Sequence, residues 1–92
     1  MFIVDAKVTP GEQTRSLISV HEEFLNKKFD EGIFVMFGLN KTLEWHGTII
    51  AKAESLETLQ EHLAEDPLLK AGCVEYSIQE FHAARIAEHI TE

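Results

Sequence analysis

One histidine occupies a position where a helix would direct it towards the protein interior. His21 follows Leu17 by four residues and precedes Phe24 and Leu25 by three and four, so all four share one face of a helix. Burial favours the neutral imidazole, and a carboxylate on one ring nitrogen would fix the tautomer and raise the basicity of the other. That arrangement is typical of a general base. The alternative is a core histidine satisfied by a backbone carbonyl, and the spacing alone favours this alternative.

Asp66 is the carboxylate with the most specific sequence context. It precedes Pro67 and a short apolar segment that ends at Gly72. An Asp cap, a Pro in the first position and a Gly beyond the end predict one capped turn of helix. A carboxylate offers about four acceptor sites, so one oxygen can cap the helix while the other orients His21.

Two further side chains are candidates for contact with a ligand. Arg15 lies six residues before His21 and could bind a substrate carboxylate if the helix entrance lines a cleft, although such residues are usually solvated. Trp45 and His46 begin a predicted strand, where neighbours face opposite ways and only one can enter a cleft. A tryptophan there is more often core or interface than a ligand platform.

We expect no metal and no cofactor. His82, Arg85 and His89 share a predicted helical face, but no cysteine or carboxylate completes a set of metal ligands, which favours a solvated face. Cys73 begins a strand and is predicted to be a small buried hydrophobe. The sequence contains neither a glycine-rich phosphate loop nor a nucleophile elbow.

Hydrophobic periodicity defines the elements that must position these residues. Alternation predicts strands over residues 2–8 and 74–78, an apolar run predicts a strand over 33–37, and a returning strand is expected from about Leu43 to Ala53. Helical spacing predicts helices over 12–30, after a Ser55 cap, over one turn at 66–72, and over 82–91. The stripe of the last helix would be Ala83, Ile86, Ala87 and Ile90.

The order β-α-β-β-α-β predicts a ferredoxin-like α+β fold with a four-stranded antiparallel sheet, two helices on one face and an extra C-terminal helix. Residues 33–37 are all apolar, so both sheet faces should be dry there, yet two helices cover only one. We therefore expect a homodimer built sheet to sheet. The alternatives are a long hairpin tip or the C-terminal helix folded across that face.

Composition limits the class of protein. Ninety-two residues, 45% of them hydrophobic, fit a single domain over 1–92. A formal net charge of −8 opposes binding to nucleic acid and to anionic membrane surfaces. One cysteine, no signal-peptide pattern and no membrane-spanning run predict a cytoplasmic protein.

Several motifs together resemble one known family. They are His21, Asp30-Glu31-Gly32, Gly38, Glu54-Ser55-Leu56-Glu57, Gln60, Asp66-Pro67 and Ala71-Gly72. In these the chain is similar to the YCII-related (YciI-like) family, from Phe2 to about Phe81. The resemblance implies a dimeric α/β barrel with a His-Asp dyad in a cleft, here His21 and Asp66. It also implies cofactor-free lyase or isomerase chemistry on small oxygenated, often ring-derived acids.

The chain departs from this family beside the expected site. Leu39 stands where Pro is common, and the connection from Gly38 to Trp45 is shorter than in many relatives. Because a shortened loop changes what closes over a pocket, the substrate cannot be carried across. Arg15, Gly38 and Trp45 are the candidate substrate-binding residues. The rival hypothesis is a non-catalytic dimeric module that binds a small molecule or serves a larger enzyme.

Overall fold

The computed structural model describes residues 1–90, which form one four-stranded sheet and three helices. In chain order the elements are β1 (Phe2–Val8), α1 (Glu12–Asp30), β2 (Phe34–Leu39), β3 (His46–Ala51), α2 (Leu56–Leu63), α3 (Pro67–Lys70) and β4 (Val74–Glu80). Over residues 1–90, no helix combines the length and the apolar character that crossing a bilayer requires.

The sheet has the strand order β2-β3-β1-β4, and every neighbouring pair is antiparallel. Val4 at the centre of β1 pairs with Ile49 in β3 and with Ile78 in β4, which places all three on the same face. Phe24 of α1 and Leu59 of α2 are buried in the core on that face. The predicted ferredoxin-like α+β fold is therefore confirmed.

Local sequence explains the limits of α1. The helix covers the predicted 12–30, and its apolar stripe buries Phe24. It ends because Gly32 adopts φ +81, a conformation that glycine reaches without steric cost, and because Ile33 N–H then donates to the Lys28 carbonyl. After this turn the chain continues directly into β2.

The β2–β3 connection differs from the prediction. Gly38 does not end β2, which continues to Leu39, and β3 begins at His46 instead of near Leu43. The reason is a side-chain turn, in which the Asn40 carboxamide oxygen accepts the backbone N–H groups of Thr42 and Leu43, both at 2.8 Å. Those residues are therefore held in the turn and cannot join the strand.

The predicted C-terminal helix is wrong for residues 82–90, which are irregular, and its last position, 91, lies outside the described residues. Phe81 N–H donates to the Met1 carbonyl, so the chain leaves β4 in an extended direction. Ile86 and Ile90 remain 62% and 59% exposed. Because the predicted stripe is not buried, so short a helix gains too little packing to repay its nucleation.

The second face of the sheet carries no helix. By strand register it presents Ile3, Met36 and Ile50 at one end and Asp5 and Thr48 further along. Ile3 and Met36 are 38% and 45% exposed. Residues 83–90 of the C-terminal segment border this apolar end without covering it.

A buried lysine that the sequence analysis did not single out joins α1 to the end of α2. Lys28 is 2% exposed, and its ammonium donates to Glu65 Oε2 at 2.7 Å and to His62 Nδ1 at 2.9 Å. Glu31 lies 3.2 Å away. The hydrogen bond from Lys28 lowers the pKa of Glu65, while the hydrogen bonds to Glu65 and Glu31 outweigh burial and raise the pKa of Lys28.

Glu65→Gln should lower the free energy of unfolding at neutral pH by about 1 kcal/mol, because a charged hydrogen bond to a buried ammonium is lost while solvent screens the half-exposed carboxylate. The lowered pKa of Glu65 makes this contribution present above pH 4.5 and lost as the pH falls further. The raised pKa of Lys28 keeps it present until the pH exceeds 10.5. Urea unfolding across this range, with the exposed Glu61→Gln as control, measures it. Equal stabilities of the two variants at pH 7 would contradict the prediction.

Candidate active site

His21 lies in the middle of α1 with its ring on the inner side of the helix. The imidazole stacks on Phe24, with ring centroids 6.2 Å apart, and its side chain is 13% exposed. The helical spacing had predicted this inward direction. The ring is therefore neither sealed in the core nor free in solvent.

Asp66 is the N-cap of α3, as its position before Pro67 predicted. Its Oδ1 accepts the Leu68 backbone N–H at 3.0 Å, and its side chain is fully buried. A desolvated carboxylate is costly unless hydrogen-bond donors replace the lost water. The cap supplies the first of these donors.

The structure brings His21 and Asp66 together. His21 Nδ1 lies 2.8 Å from Asp66 Oδ1. An ionised carboxylate only accepts, so Nδ1 carries the proton and donates it, and in the neutral ring Nε2 holds the free lone pair. The described residues make no hydrogen bond to Nε2. Every buried side-chain N or O atom among them has a partner, so Nε2, which has none, is not buried and is accessible. The arrangement suits a general base.

Tyr76 completes the environment of Asp66. Its phenol donates to Asp66 Oδ2 from β4, where register with Ala6 turns Tyr76 towards the helices. One Asp66 oxygen was expected at the cap and the other at His21, whereas Oδ1 accepts from both the cap N–H and His21, and Oδ2 accepts from Tyr76. Burial and the neighbouring Asp66 raise the pKa of Tyr76, so the phenol stays a donor. The sequence signal that could have identified Tyr76 is its inward-facing position in an alternating strand.

A cavity of about 600 Å³ opens beside His21, between α1 and the inner face of β1, β2 and β3. This volume falls in the range typical of small-molecule sites. Most of its lining is apolar, including Ile18, Leu25, Phe37, Ile49 and Leu68. Glu22, Asn26, Asn40 and Thr48 add polar groups. Asp66 does not line the cavity. A ligand would therefore contact His21 directly, and Asp66 would affect the ligand only through its hydrogen bond to His21.

Two of the three predicted substrate-binding residues reach this cavity. Gly38 and Trp45 line it, whereas Arg15 is exposed and is not among its lining residues. Trp45 adopts φ +61, an uncommon conformation for a bulky residue, and its carbonyl accepts the Val8 N–H at 2.7 Å. That bond helps to hold the turn and keeps a half-exposed indole at the cavity.

The remaining histidines and the cysteine lie in other surroundings. His46 borders the cavity, but its Nδ1 pairs with Asp5 Oδ2 at 3.0 Å. Cys73 is buried, as predicted. Within residues 1–90, no three His, Cys, Asp or Glu side chains are grouped in a way that would hold a metal ion.

Comparisons with known proteins were made for the whole chain. The family model described as the YCII-related domain matches residues 1–82. A search of curated proteins gave no match. Among solved structures, the 5-chloro-2-hydroxyhydroquinone dehydrochlorinase of Burkholderia phenoliruptrix AC1100, in complex with 2,5-dihydroxybenzoquinone, is similar with a TM-score of 0.64. It is 16% identical, and the match covers 89% of this chain and 94% of that one, which shows a shared fold.

Asp66→Asn should lower the titration midpoint of the His21 ring by about one to two pH units, because a neutral amide does not stabilise the imidazolium. Asparagine can still cap α3 through its carbonyl oxygen. NMR titration of the ring protons measures the shift. His46, paired with Asp5, serves as the internal control and should not move. An unchanged His21 midpoint in the folded variant would show that the two residues do not act as a pair.

Proposed function

The chain belongs to the YCII-related family, and from this premise we propose that it is a small enzyme of the lyase or isomerase type in which His21 is the general base and Asp66 holds it. One observation carries the proposal. His21 Nδ1 is bonded to a fully buried carboxylate at 2.8 Å, and the same side chain lines a cavity of ligand size.

The proposed step is a proton transfer. Nε2 of neutral His21 accepts a proton from a carbon or hydroxyl of the substrate, and the substrate keeps the electron pair. Asp66 stabilises the imidazolium that forms. Return of the proton to another substrate atom gives an isomerisation. Expulsion of a leaving group as the electron pair forms a double bond gives a lyase reaction, after which His21 gives its proton to the departing group or to water. Both are balanced without an oxidant or a reductant.

The lining of the cavity bears on the substrate class. Phe37 and Trp45 offer aromatic surface, and Asn26, Asn40 and Thr48 offer hydrogen bonds. Glu22 lies at the cavity, and Arg15 is directed elsewhere, so a substrate carboxylate would meet a like charge without a partner. From the predicted class of small oxygenated or ring-derived acids, this lining favours a ring with hydroxyl or carbonyl groups. The quinone-bound dehydrochlorinase of similar fold supports the same class.

A sheet-to-sheet homodimer is the second part of the proposal. The helix-free face exposes Ile3, Met36 and Ile50 at one end, and a second copy presenting the same face would remove this apolar surface from water. Apart from Thr48, which lies on the helix-free face by strand register, the residues that line the cavity lie on the opposite, helix-covered side of the sheet or at its hairpin end. The two features can therefore be tested separately.

His21→Ala should cut turnover by about 10² to 10⁴, the usual contribution of a positioned general base. The assay uses small hydroxylated rings and quinones, beginning with chloride release from 5-chloro-2-hydroxyhydroquinone and binding of 2,5-dihydroxybenzoquinone. His82→Ala, an exposed histidine outside the cavity, is the matched control and should retain full activity.

Three results would overturn parts of this proposal. Full activity of His21→Ala would remove His21 as the base. Binding of the quinone without turnover, equal in wild type and His21→Ala, would favour the non-catalytic binding module. Neither binding nor turnover of any ring compound by the wild type would refute the assigned substrate class.

For the dimer, sedimentation equilibrium at micromolar concentration should give about twice the chain mass of 10.4 kDa. Ile50→Asp should shift the protein towards monomer, because a charge would be desolvated in the apolar end of the interface. Leu56→Asp, on the exposed side of α2, makes the same chemical change elsewhere and should leave the mass doubled. A wild-type mass equal to one chain would refute the dimer.

A further inference from the structure

We infer that Tyr76 is a positioning residue of the candidate site, where its phenol shares the charge of Asp66 and so sets how tightly His21 holds its proton. This inference rests on the proposed function for its catalytic meaning. Its physical content, a coupling between a phenol in β4 and an imidazole in α1, can be measured without any substrate.

Among the described residues, Asp66 is the one side chain that hydrogen-bonds to both groups. Oδ1 accepts from His21 Nδ1 and from the Leu68 backbone N–H, and Oδ2 accepts from the Tyr76 phenol. Asp66 is fully buried, so water does not share this work. Three donors from three different elements therefore replace the solvation shell of one carboxylate.

The direction of the effect follows from charge. A hydrogen bond from a phenol draws negative charge towards Oδ2, which leaves less at Oδ1 to stabilise an imidazolium. Without this donor, the full charge of Asp66 would face the imidazolium and stabilise it more strongly. Tyr76 moderates this attraction, so Nε2 is more often free to accept a proton from a ligand.

Other titratable side chains near the ring come from α1 itself and from β3. Glu22 in α1 and His46 at the start of β3 line the same cavity, and His46 is paired with Asp5 of β1. Neither contacts Tyr76 through a hydrogen bond in the described residues. A change at Tyr76 should therefore reach His21 through Asp66.

The test compares the titration midpoint of the His21 ring by NMR in wild type, Tyr76→Phe and Asp66→Asn. Tyr76→Phe should raise the midpoint by roughly 0.5 to 1 pH unit, the scale of one hydrogen bond, whereas Asp66→Asn lowers it. Opposite signs separate this role from general loosening of the site. A midpoint that is unchanged, or that falls as in Asp66→Asn, would overturn the inference.

A second perturbation keeps the side chain in place in case Tyr76→Phe does not fold. The chain contains one tyrosine, so growth on 3-fluorotyrosine substitutes this position alone. Fluorination makes the phenol a stronger donor, and the His21 midpoint should fall by a few tenths of a pH unit. A rise would contradict the inference.

The outcomes also separate this inference from the proposed function. If ring compounds are turned over, the acidic limb of the plot of kcat against pH should shift to higher pH in Tyr76→Phe, with little change in KM. If His21→Ala retains full activity while the midpoint still shifts in Tyr76→Phe, the proposed base is wrong and the coupling stands. If His21→Ala is inactive and the midpoint does not move, the base stands and the role of Tyr76 is wrong.

Discussion

A carboxylate without contact with solvent is the constraint on which the site depends. Desolvating the charge of Asp66 costs several kcal/mol unless donors replace the water that it loses. The donors are the imidazole of His21, the backbone N–H of Leu68 and the phenol of Tyr76. They come from α1, α3 and β4, so satisfying one side chain fixes three elements relative to one another. The same hydrogen bonds that make burial tolerable also orient the imidazole.

The topology explains why an open cavity lies beside this buried pair. At one end of the sheet, α2 covers Phe2, Phe34 and Ala51, and the core there is closed. At the other end, α3 covers Ala6 next to β4 but does not extend over the β2–β3 hairpin. The inner face at Leu39 and Gly47 therefore lies to one side of α1, and no helix of the described residues covers it. Leu39 is 89% exposed. His21 lines the cavity at this uncovered corner.

What the sequence could predict was determined by local interactions. The limits of α1, the Ser55 and Asp66 caps and the inward direction of His21 all follow from spacing and capping within a few residues. The contact between His21 and Asp66 spans 45 residues. The acceptor capacity of Asp66 allowed this contact, but the spacing favoured a core histidine, and it was the resemblance to a family that implied the pair. Tyr76 and Lys28 were missed because an alternating strand or an amphipathic helix does not reveal which distant polar group will be a partner. The predicted C-terminal helix is wrong because its apolar stripe stays exposed, and local sequence does not reveal whether such a stripe packs on the rest of the chain.

The tautomer of His21 tests most directly whether Asp66 orients the base. The ¹⁵N chemical shifts of the two ring nitrogens, measured with the ring neutral, report which one carries the proton. A protonated Nδ1 bonded to Asp66 and an unprotonated Nε2 facing the cavity are expected. A proton on Nε2, with Nδ1 bare, would mean that Asp66 does not accept from this ring, and the proposed general base would be contradicted.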